Sequence, residues 1–211
     1  RQALGEAVHA NVSISSIQKI GAGWRVDWNG IAHLYDEILL TTPAHALDKL
    51  PLDESLQKAL KPLLAINYSP VSVLTVAFKR SDVAHPLDGF GLLVPEYEGR
   101  KILGALFPAS LFASRAPAGE VLLTVFVGGE RQAGLAVPDK DTLLASVLPE
   151  LKELFGTTGE PTFSHHRHWP RAIPQYNIGY GKLLAQMDLV EKKFAGLKLA
   201  GNYRDGISLS N

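Results

Sequence analysis

Hydrophobic and polar positions change period several times along the chain, and each change predicts an element. Val8, Ala10, Val12 and Ile14 alternate with polar His9, Asn11, Ser13 and Ser15, the period-2 signature of a half-buried strand. Gly21 to Gly23 predict a turn, after which Trp24, Val26 and Trp28 alternate again. Asn29-Gly30 predicts a type I′ hairpin, because both central residues of that turn need positive φ. Ile31 to Tyr35 return as a third strand. The apolar run Ile38-Leu39-Leu40, ending at Thr41-Thr42-Pro43, predicts a short strand buried on both faces and leaving its sheet.

Helical periods follow. Pro43 to Leu50 and Asp53 to Leu64 predict helices, the second capped by Asp53 with Leu56, Leu60, Leu63 and Leu64 on one face. Strands are predicted at Val71 to Lys79, Leu92 to Val94, Ile102 to Phe107, Val121 to Val127 and Thr162 to Trp169. Asp141 to Phe155 is the clearest helix, with Leu143, Leu144, Val147, Leu148, Leu151, Leu154 and Phe155 on one broad face. Lys182 to Phe194 predicts the last helix and Leu197 to Ala200 the last strand. Strands and helices mix without regular alternation. The fold class is therefore α/β of the α+β type, a mixed sheet with helices on it and no barrel.

Composition narrows the functions. The 211 residues carry 21 basic and 21 acidic side chains, so no net field draws the chain to nucleic acid or anionic lipid. The absence of cysteine excludes disulfides, thiolate catalysis and thiolate-bound metal in this stretch. No apolar run of spanning length and no signal pattern is present. The chain opens without Met and stops where a helix is expected to begin, the pattern expected of a fragment.

Candidate chemistry is sparse. His166 and His168 fall on one face of a predicted strand, but two imidazoles with no carboxylate at a useful spacing read as edge-strand histidines, and no metal is expected. There is no G-x-S-x-G elbow. Gly21, Gly89 and Gly179 each begin a G-x-G that is never completed to G-x-G-x-x-G. The ending, LKLAGNYRDGISLSN, runs a short strand through Gly201 and Gly206. That is either an ordinary strand-to-helix turn or one edge of a cofactor site, since glycine lets backbone approach a ligand closely.

Several longer segments carry a resemblance. Residues 35–47 (YDEILLTTPAHAL), 66–80, 86–117, 121–131, 168–180 and 197–208 resemble the protoporphyrinogen oxidase family of flavin-containing amine oxidases. GFGLLVP, FASRAP, FVGG and W-x-x-AIPQY-x-x-G are its distinctive motifs here. The resemblance implies an FAD-dependent oxidase that removes six electrons from protoporphyrinogen IX, with oxygen or another acceptor. It also implies that the dinucleotide-binding part and most of a helical, membrane-facing region would precede Arg1. Residues 1–45 and 179–211 would then belong to the FAD-binding domain and 46–178 to a substrate-binding domain.

Carried over by position, the resemblance implies that Ile14 stands beside the adenine end of FAD and Trp169 beside the isoalloxazine. Gly201, Ile207, Ser208 and Leu209 match the flavin-facing turn, although GISLSN departs from the relatives' GVS-V-G-D or similar. Gly91, Leu93, Leu106 and Phe126 match positions lining the tetrapyrrole pocket, where a flat ring needs apolar walls and a close backbone. Read without the family, the last three are core residues. No general base is named. The implied substrate is a porphyrinogen and the implied location the cytoplasm, peripheral on the inner face of a bacterial plasma membrane, with contact through residues outside this stretch. No nucleic-acid partner is expected.

Three other readings stay open. One is another flavin amine oxidase or a desaturase, which would turn over an amine or a carotenoid and which the AIPQY and GFGLLVP matches disfavour. A coproporphyrinogen oxidase would need more basic residues around the pocket mouth, for which Arg100, Lys101 and Arg115 are candidates. A non-catalytic tetrapyrrole- or protein-binding module would lack an upstream nucleotide cradle. The 211 residues alone are expected to be inactive and to lose FAD, because the phosphate contacts are absent.

Overall fold

The computed structural model describes residues 3–112 and 114–206. Two compact units form, one from residues 1–67 with 174–211 and the other from 68–173. The boundaries of these compact units fall at 67/68 and 173/174.

The first unit opens with a 3-10 turn, Gly5–Ala7, and a three-stranded antiparallel meander of β1 (Ile14–Ile20), β2 (Gly23–Trp28) and β3 (Ile31–Tyr35). The strand expected from Val8 therefore begins six residues later. Asn11 explains the delay: its φ is +59°, a left-handed conformation that interrupts an extended run. At the predicted hairpin Asn29 and Gly30 have φ of +52° and +76°, as a type I′ turn requires. β4 (Ile38–Leu40) is covered on one face only, since Leu39 is 58% exposed. A 3-10 turn at Ala44–Lys49 follows, then α1 (Glu54–Leu60), whose Asp53 cap accepts the Leu56 N–H at 2.9 Å. The helix expected to reach Leu64 tightens into a 3-10 turn at Lys61–Ala65. Pro62 is the cause, because it has no N–H to give and its ring crowds the preceding turn.

The second unit is a five-stranded sheet under one long helix. Its strands are β5 (Tyr68–Lys79), β6 (Gly91–Leu93), β7 (Ile102–Leu106), β8 (Glu120–Gly128) and β9 (Phe163–Pro174), in the order β6-β7-β8-β5-β9. A single-turn α2 (Pro108–Leu111) follows β7, and α3 (Lys140–Phe155) follows β8. Leu74, Val76 and Phe78 of β5 and Leu123, Val125 and Val127 of β8 form the core with Leu143, Val147, Leu151 and Phe155 of α3. The two periods meet there, every second residue of the strands against one stripe of the helix.

The chain returns to the first unit through α4 (Gly181–Lys193) and β10 (Leu197–Leu199), which pairs in parallel with β4. Trp24, 1% exposed, packs here and donates its indole N–H to the Ala195 carbonyl at 3.3 Å. Among the described residues no helix is long and apolar enough to cross a membrane.

Two stability predictions follow from α3. Leu151 is fully buried, and Leu151→Ala should cost about 2–5 kcal/mol in chemical denaturation. Asp139 caps the helix, accepting the Thr142 N–H at 2.8 Å, and its hydrogen bonds to Thr142 hold its carboxyl below the usual range. A depressed native pKa means that the stabilisation is complete above the unfolded carboxyl's value of about 3.9 and fades as pH falls through the native one. Thermal melts from about pH 6 downward should therefore show a shallower acid loss in Asp139→Asn than in the natural chain. Parallel curves would show that the cap is not what titrates.

Candidate functional site

Register makes a surface of the sheet's other face. Val73 pairs with Phe126, Phe126 with Gly104, and Gly104 with Leu93. One step along, Thr75 pairs with Thr124, Thr124 with Leu106, and Leu106 with Gly91. Directly paired residues share a face, so two adjacent rows cross β5, β8, β7 and β6 on the side away from α3. Gly91, Leu93, Leu106 and Phe126 all belong to these rows. Phe126 and Leu106 are half-buried, and Leu93 is 87% exposed. Val73, Thr75 and Thr124, on which sequence reasoning settled no role, complete the face. Period-2 alternation in VSVLTVAFK was the signal for them, but it cannot show which strand stands alongside.

Gly91 is also required by the packing of the sheet itself. Its φ is +153°, and a Cβ there would stand 2.3 Å from the Ala105 carbonyl oxygen and 2.9 Å from the Leu106 Cα. Gly104 is as tight, with the Leu92 oxygen 2.4 Å from its Cβ position. The β6–β7 pairing therefore demands both glycines, before any ligand is considered.

At the β9 edge the histidines divide between faces. His168 Nδ1 lies 3.1 Å from the Ser72 hydroxyl, which donates to the Val137 carbonyl at 2.9 Å. Burial, followed by the neighbouring His168 and His165, lowers the pKa of His166. Among the described residues no group of three or more His, Cys, Asp or Glu side chains is arranged to hold a metal ion. Trp169 faces the other way, 46% exposed, with the Arg167 guanidinium 4.6 Å over its ring. Of the basic candidates for a pocket mouth, Arg100 is engaged by carboxylates. Arg100 is held by Glu153 at 2.9 Å and Glu150 at 3.3 Å, which raise its pKa. For Lys101 it is the backbone N–H that donates to Glu150, and Arg115 lies over Phe112.

Ile14 and Gly201 belong to the first unit. Ile14 begins β1 and lines a cleft of about 430 Å³ with His9, Val26, Trp28, Tyr35 and Ile38. Gly201 follows β10, where the Ala200 N–H donates to the Leu40 carbonyl and the carboxyl ends of two parallel strands come side by side. Its φ is +137°, and its Cβ position is 3.9 Å from the Thr41 oxygen. The Tyr176 and Tyr180 hydroxyls donate to the Asn202 and Tyr203 carbonyls and pin the turn. Beside it, the Thr42 hydroxyl is buried and has no hydrogen-bond partner among the described residues. Carboxyl ends of parallel strands, a glycine and an unsatisfied hydroxyl fit a polar cofactor edge. Ile207, Ser208 and Leu209 lie outside the described residues.

The family model described as flavin containing amine oxidoreductase matches residues 1–207. The chain is 38% identical over 179 residues to the mitochondrial protoporphyrinogen oxidase of Nicotiana tabacum, covering 83% of this chain and 36% of that protein. It is 22% identical to the coproporphyrinogen III oxidase of Staphylococcus aureus, over 97% of this chain and 44% of that one. Among solved structures, a protein of Exiguobacterium sp. 255-15 provisionally assigned as a protoporphyrinogen oxidase superposes with a TM-score of 0.73 at 22% identity, covering 94% of this chain and 43% of its own. The chain thus spans less than half the length of these proteins.

The two glycines of GFG should respond differently to a methyl group. Gly89→Ala meets nothing within 4 Å and should be near neutral. Gly91→Ala should part β6 from β7 and cost more than about 1 kcal/mol. Amide exchange would show it first at Val94 and Phe107, which donate to Leu103 and Phe90. Equal effects at both glycines would disprove this account of the hairpin.

Proposed function

The chain belongs to the flavin containing amine oxidoreductase family, and on that premise we propose that the protein carrying it is an FAD-dependent oxidase converting protoporphyrinogen IX to protoporphyrin IX. The observation that carries the reading is the pair of rows on the open face. Leu93, Phe126 and Val73 form one row and Leu106 stands in the next, a flat apolar wall for a flat apolar ring. Thr75 and Thr124 add two hydroxyl oxygens that can accept pyrrole N–H groups. The similarity to the tobacco protein supports the same substrate.

When bound, FAD supplies the electron acceptor for the six-electron oxidation, with oxygen or another acceptor behind it. Gly201 and Thr42 would hold its polar edge, Ile14 the adenine end, and Trp169 would stand beside the ring system. Ile207, Ser208 and Leu209 are proposed to line the same cofactor. The open face would orient the substrate and exclude water from it. Where the two rows cross β5, β8, β7 and β6 they carry no ionisable side chain, so the contribution of those four strands is positioning. Because the sequence completes no G-x-G-x-x-G, the phosphates of FAD would be held elsewhere, and the 211 residues alone would neither retain it nor oxidise substrate. On this reading the enzyme is cytoplasmic and touches a membrane only through residues outside this stretch.

A protein of the relatives' full length, given FAD and oxygen, should show porphyrin fluorescence rising with protoporphyrinogen much faster than autoxidation. Phe126→Ala should lower kcat/KM by about tenfold or more, the equivalent of one lost aromatic contact. Preference for coproporphyrinogen would move the reading to the reaction named for the Staphylococcus aureus relative. No rise with either, despite bound flavin, would refute both.

A further inference from the structure

We propose that Arg167 binds a carboxylate of the ligand lying on the open face, as a specificity-determining contact for the anionic arm of a ring seated over Phe126. The proposal rests on the porphyrinogen reading above.

Its position follows from the edge pairing. The Thr162 N–H donates to the Ala77 carbonyl at 2.9 Å, while His168 meets Ser72, so β9 runs antiparallel to β5. Ser72 and His168 lie on the α3 side, which turns Arg167 and Trp169 to the open face. Arg167 therefore stands alongside Val73 and prolongs the row Val73–Phe126–Gly104–Leu93. Two strand spacings, about 10 Å, separate its backbone from that of Phe126. A ring over Phe126 with a flexible carboxylate arm reaches that edge.

The guanidinium is also free and oriented. Arg25, Arg100, Arg131 and Arg204 each have a carboxylate within 4 Å, whereas among the described residues none lies so close to Arg167. Stacking at 4.6 Å over Trp169 holds the planar fork before any anion arrives, so little side-chain entropy is lost on binding. A forked cation at the end of an apolar row is complementary to an apolar molecule with a carboxylate on its rim. The cation of Lys79, by contrast, stands at the far end of the same face opposite Glu120.

The test uses the full-length flavoprotein with protoporphyrinogen IX and with its dimethyl ester, which keeps the ring and removes both charges. In Arg167→Gln the KM for the diacid should rise about tenfold, the loss of one charge-assisted contact, with kcat within about twofold. The KM for the ester should be the same in both proteins. Arg167→Lys should recover part of the diacid effect, and Lys79→Gln should leave both substrates unchanged. An unchanged diacid KM in Arg167→Gln, or an equal rise for diacid and ester, would overturn the proposal while the oxidase reading stands. Natural protein that oxidises neither compound would remove the oxidase reading and this contact with it.

Discussion

The sheet of the second unit depends on one packing constraint, the burial of alternate β5 and β8 side chains against α3. Leu74, Val76 and Phe78 face Val125, Leu123 and Val121 in direct register, and the α3 stripe closes over them. A slip of one residue would send every one of these side chains into solvent. The register is thereby fixed by the buried face, yet its consequence for function is on the other one. Val73, Thr75, Thr124 and Phe126 are aligned because their neighbours are locked, and β7 and β6 extend the alignment through Gly104 and Gly91. A ligand face of this kind needs no rigidity of its own. It inherits the rigidity of the core.

The first unit uses a different device. β4 and β10 are three residues each and pair only with one another among the described strands, too little sheet to be stable by itself. Surrounding contacts hold it: Trp24 bonds the Ala195 carbonyl, the Leu199 N–H donates to Glu191, and Arg204 bridges Asp188 and Glu191 on α4. The turn at Gly201 is thus tied to α4 through Arg204 and to the segment before α4 through two tyrosine hydroxyls. These hydroxyls take up carbonyls that a tight turn would otherwise leave without partners. The Thr42 hydroxyl is one exception among the described residues, and an unsatisfied buried group next to a glycine turn is where a bound polar ligand would be felt.

Much of this was legible in the residues. α3, β5, β8 and the Asn29-Gly30 hairpin follow from period and turn chemistry alone, and the Asp53 cap stands where predicted. The misses have local causes. Asn11 in the left-handed region cancels the alternation that starts at Val8, and Pro62 divides one predicted helix into two. Leu39 is exposed because β4 is covered on a single side, which an apolar run cannot reveal. The candidate site was harder. Phe126, Leu106 and Leu93 look like core residues one at a time, and only cross-strand register brings them to one face. That register runs across β6, β7 and β8, and its extension to β5 and β9 follows a crossing order that no local pattern encodes.

Charge illustrates the same limit. In sequence, Arg100, Arg115 and Arg167 are equivalent, and Arg100 and Arg115 lie in the more suggestive segment. In the fold Arg100 is neutralised by two α3 carboxylates, Arg115 rests on Phe112 away from the sheet's rows, and Arg167 is stacked over Trp169 beside the open face with no carboxylate within 4 Å among the described residues. Residue type supplies the capacity to bind an anion, while the neighbours decide whether the capacity is already used. Gly91 completes the point from the side of shape. Its missing side chain is first a requirement of strand pairing, with the Ala105 carbonyl where a Cβ would be. Any closeness it grants a ligand is a consequence of how the sheet was built.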